Sequence, residues 1–127
     1  NSTALYDKQW IAADSLTGNL YLTYVRFGVS GGTITTNDIR FRRSTDANVT
    51  WSTETVLSAT SDAGYVQGPR PAVGPGGELY TTWYAIGKTS NSAYGRDYFR
   101  FKRSTTQGTT FGTEVTVLES SKVTLSL

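Results

Sequence analysis

"IRFRRSTDANVTW", Ile39 to Trp51, places a basic, alternating stretch directly before a cluster of Ser, Asp, Asn and Thr that closes on Trp. The same arrangement returns as "FRFKRSTTQGTTF", Phe99 to Phe111, at an offset of 60. Working outward, "GNLYLTY" (Gly18 to Tyr24) lies over "GELYTTW" (Gly77 to Trp83) at an offset of 59, and "TETVL" follows the first copy as "TEVTV" follows the second. One inserted residue in the intervening loop reconciles the two offsets. A self-match of this length marks a repeat architecture in which each copy is one supersecondary unit.

Each unit reads as four strands. The first is "QWIAAD" or "RPAVG", followed by a tight turn, "SLTGN" or "PGGE", in which Gly supplies positive-φ positions. The second, "LYLTYVRF" or "LYTTWYAI", alternates, with Leu20 and Leu22 set against Tyr21 and Thr23. Long loops, "GVSGGTITTND" and "IGKTSNSAYGRD", lead to the third, "DIRFRR" or "YFRFKR". The Ser-led turn joins it to the fourth, "TETVLSA" or "TEVTVLE". No capped pattern of helical period exceeds one turn, so helix is expected to be nearly absent. Two four-stranded antiparallel units in 127 residues match the arithmetic of two β-propeller blades, one near residues 7–60 and one near 67–120, forming a single unit over 1–127. A β-sandwich also accommodates eight short strands, but needs no internal copying.

Composition narrows the chemistry. The chain has no Cys, His or Met and is rich in Thr, Ser, Gly and Tyr, which suits an all-β, extracellular domain. Without Cys there are no disulfides or thiolate metal sites. Without His, a Ser-His-Asp or Cys-His triad is excluded. The net charge is only +2, and the basic residues cluster at Arg40, Arg42 and Arg43 and at Arg100, Lys102 and Arg103. Alternating charges on outer strands, paired with Glu54 and Glu114, explain these clusters better than a nucleic-acid stripe. No apolar run reaches membrane-spanning length, and no phosphate, nucleotide or metal motif is present, so no cofactor is expected. The chain does not begin with Met, which suggests a trimmed or processed protein.

The pattern Ser-x-Asp-x-Gly-x-Thr-Trp/Phe resembles the Asp box of sialidase-like propellers, the bacterial neuraminidase repeat. The first copy carries Ser44, Asp46, Thr50 and Trp51, with Asn48 in place of Gly. The second carries Ser104, Gly108, Thr110 and Phe111, with Thr106 in place of Asp. Asn tolerates the left-handed conformation better than most residues. The resemblance implies that the box is a structural turn, Asp46 accepting backbone N–H groups while Trp51 plugs the apolar gap beneath. Asn48-Val49-Thr50 and Asn1-Ser2-Thr3 also read as glycosylation sequons, the former by accident within a tight turn.

In an up-and-down blade the box turns and the first-to-second strand turns share one end, and the second-to-third loops and blade-to-blade connections share the other, where binding chemistry tends to concentrate. Arg70 begins an inner strand, and sialidases resemble this in placing carboxylate-binding arginines near such strand starts, usually as Arg-x-Pro; here Arg70-Pro71 is contiguous. Asp62, Tyr65, Tyr94, Arg96 and Asp97 belong to the same end and complete a candidate glycan site. Trp10 and Trp83 are expected to pack between blades. A sialidase also needs a Tyr nucleophile with a partnering Glu, an Asp acid-base group and three arginines, drawn from a ring of six blades, and two blades do not supply them all. The expectation is therefore a glycan-binding or scaffolding module with no catalytic residues of its own, the alternatives being a fragment of a sialidase-like hydrolase or a structural subunit of a filament or surface layer. Blade faces carrying Ile39, Phe41, Phe99 and Phe101 are expected to stay exposed in one chain, so self-association or the remaining blades of a parent propeller would complete it, with "KVTLSL" (Lys122 to Leu127) starting a further strand.

Overall fold

The computed structural model describes residues 3–86 and 97–120. Eight strands follow in order: β1 (Ala4–Ala13), β2 (Leu20–Ser30), β3 (Thr33–Ser44), β4 (Thr55–Val56), β5 (Val66–Val73), β6 (Leu79–Ala85), β7 (Asp97–Ser104) and β8 (Val115–Ser120). A single 3-10 turn, Thr60–Asp62, precedes β5, and no α-helix occurs among the described residues. The strands form two four-stranded antiparallel sheets, β1-β2-β3-β4 and β5-β6-β7-β8. The all-β reading from the repeat therefore stands, with one sheet per copy.

The copying extends to irregularities. Both first strands carry a bulge at the same place, where Lys8 (φ 56) interrupts the β1–β2 ladder and Gly68 (φ 59) the β5–β6 ladder. A left-handed residue inserted there leaves two residues facing one and bends the strand.

Two strand limits differ from the sequence reading. The segment Gly28 to Asp38 is no long loop: β2 and β3 continue as a ladder to Ser30↔Thr33, closed by Gly31 and Gly32 at φ 56 and 81. Paired positive φ values are those of a type I′ turn, whose twist matches the strands it joins, and the β-branched residues beside it favour extension. The fourth strand of the first unit is short, because β4 pairs only through Thr55 and Val56 before Leu57 turns inward.

Ladder partners share a sheet face. On the core-facing side of β2 and β3 the buried residues include Tyr21, Thr23, Val25, Ile39 and Phe41, while Tyr24 is buried on the opposite side. The core-facing residues meet Leu79, Thr81, Trp83 and Ala85 of β6 and Val66 of β5, giving one core between the two sheets. β5 lies against β1, β2 and β3, so the inner strands of the two sheets are neighbours. Asn37 fastens this junction: its side-chain amide donates to the Val66 carbonyl at 2.9 Å and accepts from the Val66 N–H at 3.2 Å. The exposure expected of Ile39 and Phe41 is corrected here, since both are buried by the second sheet.

Candidate functional site

The two Ser-led turns occupy one end. In the first, Asp46 accepts from the Thr50 N–H at 2.8 Å, the Thr50 hydroxyl at 2.5 Å and the Ser44 hydroxyl at 2.8 Å. Ser44 Oγ in turn accepts from the Asn48 N–H at 3.0 Å. These donors, led by Thr50, hold the Asp46 carboxyl well down, to about 2. The second turn keeps the same frame without a charge: Thr106 Oγ1 accepts from the Thr110 N–H at 2.9 Å, and Ser104 Oγ from the Gly108 N–H at 2.9 Å. The side-chain oxygens of Ser44, Asp46 and Thr50, and of Ser104, Thr106 and Thr110, are engaged in folding the chain back on itself.

The aromatic residues closing the two turns behave differently. Phe111 lies edge-on to Phe41, centroids 5.0 Å apart, and so plugs the core between the sheets. Gly108 above it has no alternative, because a Cβ there would stand 2.5 Å from Phe41 Cζ. Trp51 departs from the plugging role expected of it. It is only half-buried, with its Nε1 donating to Asn48 Oδ1 at 2.8 Å, because among the described residues no second sheet lies on that side.

The opposite end holds the candidate ligand residues, and the structure brings them to separate partners. Asp62 is buried and receives Arg100 Nε at 3.0 Å and Nη2 at 3.3 Å, a fork that joins the inter-sheet linker to β7. Its carboxylate is committed to that pair. Asp97 accepts the Tyr84 hydroxyl, whose ionisation burial and this carboxylate push up to about 12. Tyr65 is 41% exposed just before β5, its carbonyl taken by the Ile86 N–H at 2.7 Å. Tyr94 and Arg96 lie outside the described residues.

Arg70 does not begin the inner strand as expected, because β5 starts at Val66, held by Asn37; it is exposed within β5, and its guanidinium carbon lies 3.6 Å from the centroid of the Trp10 ring on β1. The bulges at Lys8 and Gly68 directly precede these two residues in their strands and set where they emerge. Trp10 remains 48% exposed, so the pair presents an aromatic surface and a cation together where the inner strands meet. Trp83 does pack between the sheets, fully buried, whereas Trp10 lies at their margin. Among the described residues no cluster of His, Cys, Asp and Glu is placed to hold a metal ion.

A second concave feature escaped the sequence reading. On the face of the first sheet turned away from the core, Tyr6, Leu22, Tyr24, Arg42, Trp51 and Glu54 line a groove of about 330 Å³. Tyr24 donates to Glu54 Oε1 at 2.6 Å and accepts from Arg42 Nε at 3.2 Å. Burial and the hydrogen bond to Glu54 push the Tyr24 phenol up to about 12. The signal lay in the alternation Leu20, Leu22, Tyr24 opposite the buried Tyr21, Thr23, Val25, which gives β2 two apolar faces.

No family model matches the chain, and no curated protein matches it. Among solved structures, the fold is similar to that of "Hadza microbial sialidase Hz136", with a TM-score of 0.66 at 15% identity over 86% of this chain. The chain spans about a quarter of that sialidase, covering 24% of its length. At this identity the likeness is one of fold: two sheets arranged as in a sialidase.

Proposed function

We propose that this chain is a glycan-binding module of an extracellular, sialidase-like propeller, whose Ser-led turns are Asp boxes with a structural role. The observation that carries the reading is the Trp10–Arg70 pair. Arg70 covers one face of the half-exposed indole, and the other offers a flat apolar surface on which the C–H side of a sugar ring stacks. The guanidinium stacked on the ring presents planar donors at its edge, suited to a carboxylate, which an acidic sugar carries. Tyr65, exposed just before the strand that carries Arg70, adds a further ring. Asp62 belongs to the scaffold in this reading, holding Arg100, and Asp97 steadies Tyr84.

The test is a titration of the folded chain with sialylated and neutral oligosaccharides, following Trp fluorescence or amide shifts. Trp10→Ala is expected to abolish binding, and Arg70→Ala to weaken acidic sugars at least tenfold while leaving neutral ones nearly unchanged. A glycan array without a single binder would overturn the reading.

A second reading, part of a sialidase-like hydrolase, is supported by the fold likeness and by the Tyr24–Glu54 pair, which has the composition of a tyrosine nucleophile and its base. Against it, Tyr24 sits mid-strand on a sheet face, and its phenol is harder rather than easier to ionise. Hydrolysis of a fluorogenic sialoside by the chain, lost in Tyr24→Phe, would favour this reading over the first.

A further inference from the structure

We propose that copies of this chain associate head to tail, the outward face of the second sheet in one copy docking on the grooved face of the first sheet in the next. The proposal is independent of glycan binding. It follows from the repeat, because the chain already contains one example of the interface it would form.

Inside the chain, the first sheet offers Tyr21, Val25, Ile39 and Phe41, and all four are buried by the second sheet. At the repeat offsets these become Tyr80, Tyr84, Phe99 and Phe101 of the second sheet. The ladder places those four on the face turned away from the core, pairing Thr82↔Phe101 and Tyr84↔Phe99. Among the described residues no sheet covers them: Phe99 is 45% exposed and the other three are half-buried. Tyr80 stacks on Phe101 with centroids 5.9 Å apart, as Tyr21 stacks on Phe41 at 6.2 Å. The donor surface of the internal junction therefore exists twice, once used and once open.

The receiving surface is duplicated as well. Within the chain, Trp83, Phe111, Arg100 and Glu114 of the second sheet meet the first sheet and the linker. Glu114 Oε2 accepts from the Ala59 N–H of that linker at 3.2 Å. The equivalents in the first sheet are Tyr24, Trp51, Arg40 and Glu54. Arg40 turns to Asp38 and Glu54 there, at 2.5 and 3.7 Å, where Arg100 has Asp62 and Glu114. Half-buried Trp51 and Leu22 then line the groove over Tyr24, which Tyr6 already covers edge-on at 5.6 Å, and among the described residues no sheet packs on that side. Applied between copies, the internal packing seats Trp51 on Phe101 as Phe111 sits on Phe41. Such an interface joins two different surfaces, so it closes into a ring when the rotation permits and otherwise propagates.

The experiment uses the 127-residue chain. Sedimentation velocity from low micromolar to submillimolar concentration is expected to show mass rising by whole copies. Leu22→Arg spoils only the receiving face and Phe101→Lys only the donor face, so each alone is expected to stay monomeric. An equimolar mixture of the two is expected to form a dimer that stops growing, through the one pair of faces left intact. A wild-type chain that stays monomeric throughout would overturn the proposal and leave blades of another protein as the cover. Dimers of either variant alone would also overturn it, since they require a face to pair with itself. If both variants fail to fold, as judged by circular dichroism, the wild-type concentration series still decides.

Discussion

At Asp46 the physical argument is one of linkage. Its carboxyl is held at about 2, below the ordinary value of 3.8, by hydrogen bonds that require the ionised form. A depressed folded-state pKa contributes stability that is present above the unfolded value and is lost as pH falls from about 4 towards about 2. Thr106 fills the same place in the second turn with a neutral hydroxyl, so that turn adds nothing to the acid dependence through this position. We expect Asp46→Asn to lower the urea midpoint at pH 7, and the gap from wild type to close between pH 4 and pH 2. A gap of constant size across that range would show that Asp46 acts through something other than its charge. The asymmetry between Asn48 and Gly108 has an equally local cause. Both have positive φ, 72 and 76, but only Gly108 lies against Phe41, so only there is a Cβ impossible without displacement.

Among the elements, β5 depends most on a side chain from elsewhere. Its first residue, Val66, is buried and satisfied by Asn37 of β3 through both amide atoms, a substitute for ladder pairing between strands of different sheets. The Gly64 N–H adds a bond to the Asn37 carbonyl at 2.8 Å. Asn37→Ala leaves a buried N–H and C=O without partners, and we expect a loss of roughly 2–4 kcal/mol. Hydrogen exchange at Val66 is expected to accelerate with it, while exchange in the middle of β2, away from the junction, follows only the global change. Unchanged protection at Val66 would mean that the amide is replaceable. The bulges at Lys8 and Gly68 work at this scale too, since they bend both inner strands alike and bring Trp10 and Arg70 together.

For the whole molecule, one shared core implies one unfolding event. Trp83 from the second sheet and Tyr21 and Phe41 from the first belong to the same buried cluster, and the Arg100–Asp62 fork ties the linker in. Neither sheet retains a covered apolar face without the other. Trp83→Ala is expected to cost about 3–5 kcal/mol, the range for emptying a buried aromatic site. That is a large share of the ~5–15 kcal/mol available to a domain, so the melting temperature should fall steeply. Aromatic circular dichroism and amide probes from both sheets are expected to report a single, coincident transition in the parent chain. Separate transitions for the two sheets would show that each folds on its own.

By itself the sequence determined the all-β class, the two copies and the four strands in each. These are properties of local pattern: period-two alternation, Gly turns and a self-match that survives substitution by physically similar residues. It also placed Trp83 between the sheets. The long hairpin of β2 and β3 was legible only in part, since Gly31-Gly32 reads as a loop until its φ values reveal a two-residue turn. The tertiary structure alone decided which partner each polar group takes. Asp62 looked like a ligand residue and is bound to Arg100, 38 positions along the chain, because the linker runs across β7. Trp51 and Phe111 hold the same place in the repeat, yet one lines an open groove and the other is packed on Phe41. The difference is that each sheet has two faces and the described residues form one junction between them, a fact of assembly that no local pattern records.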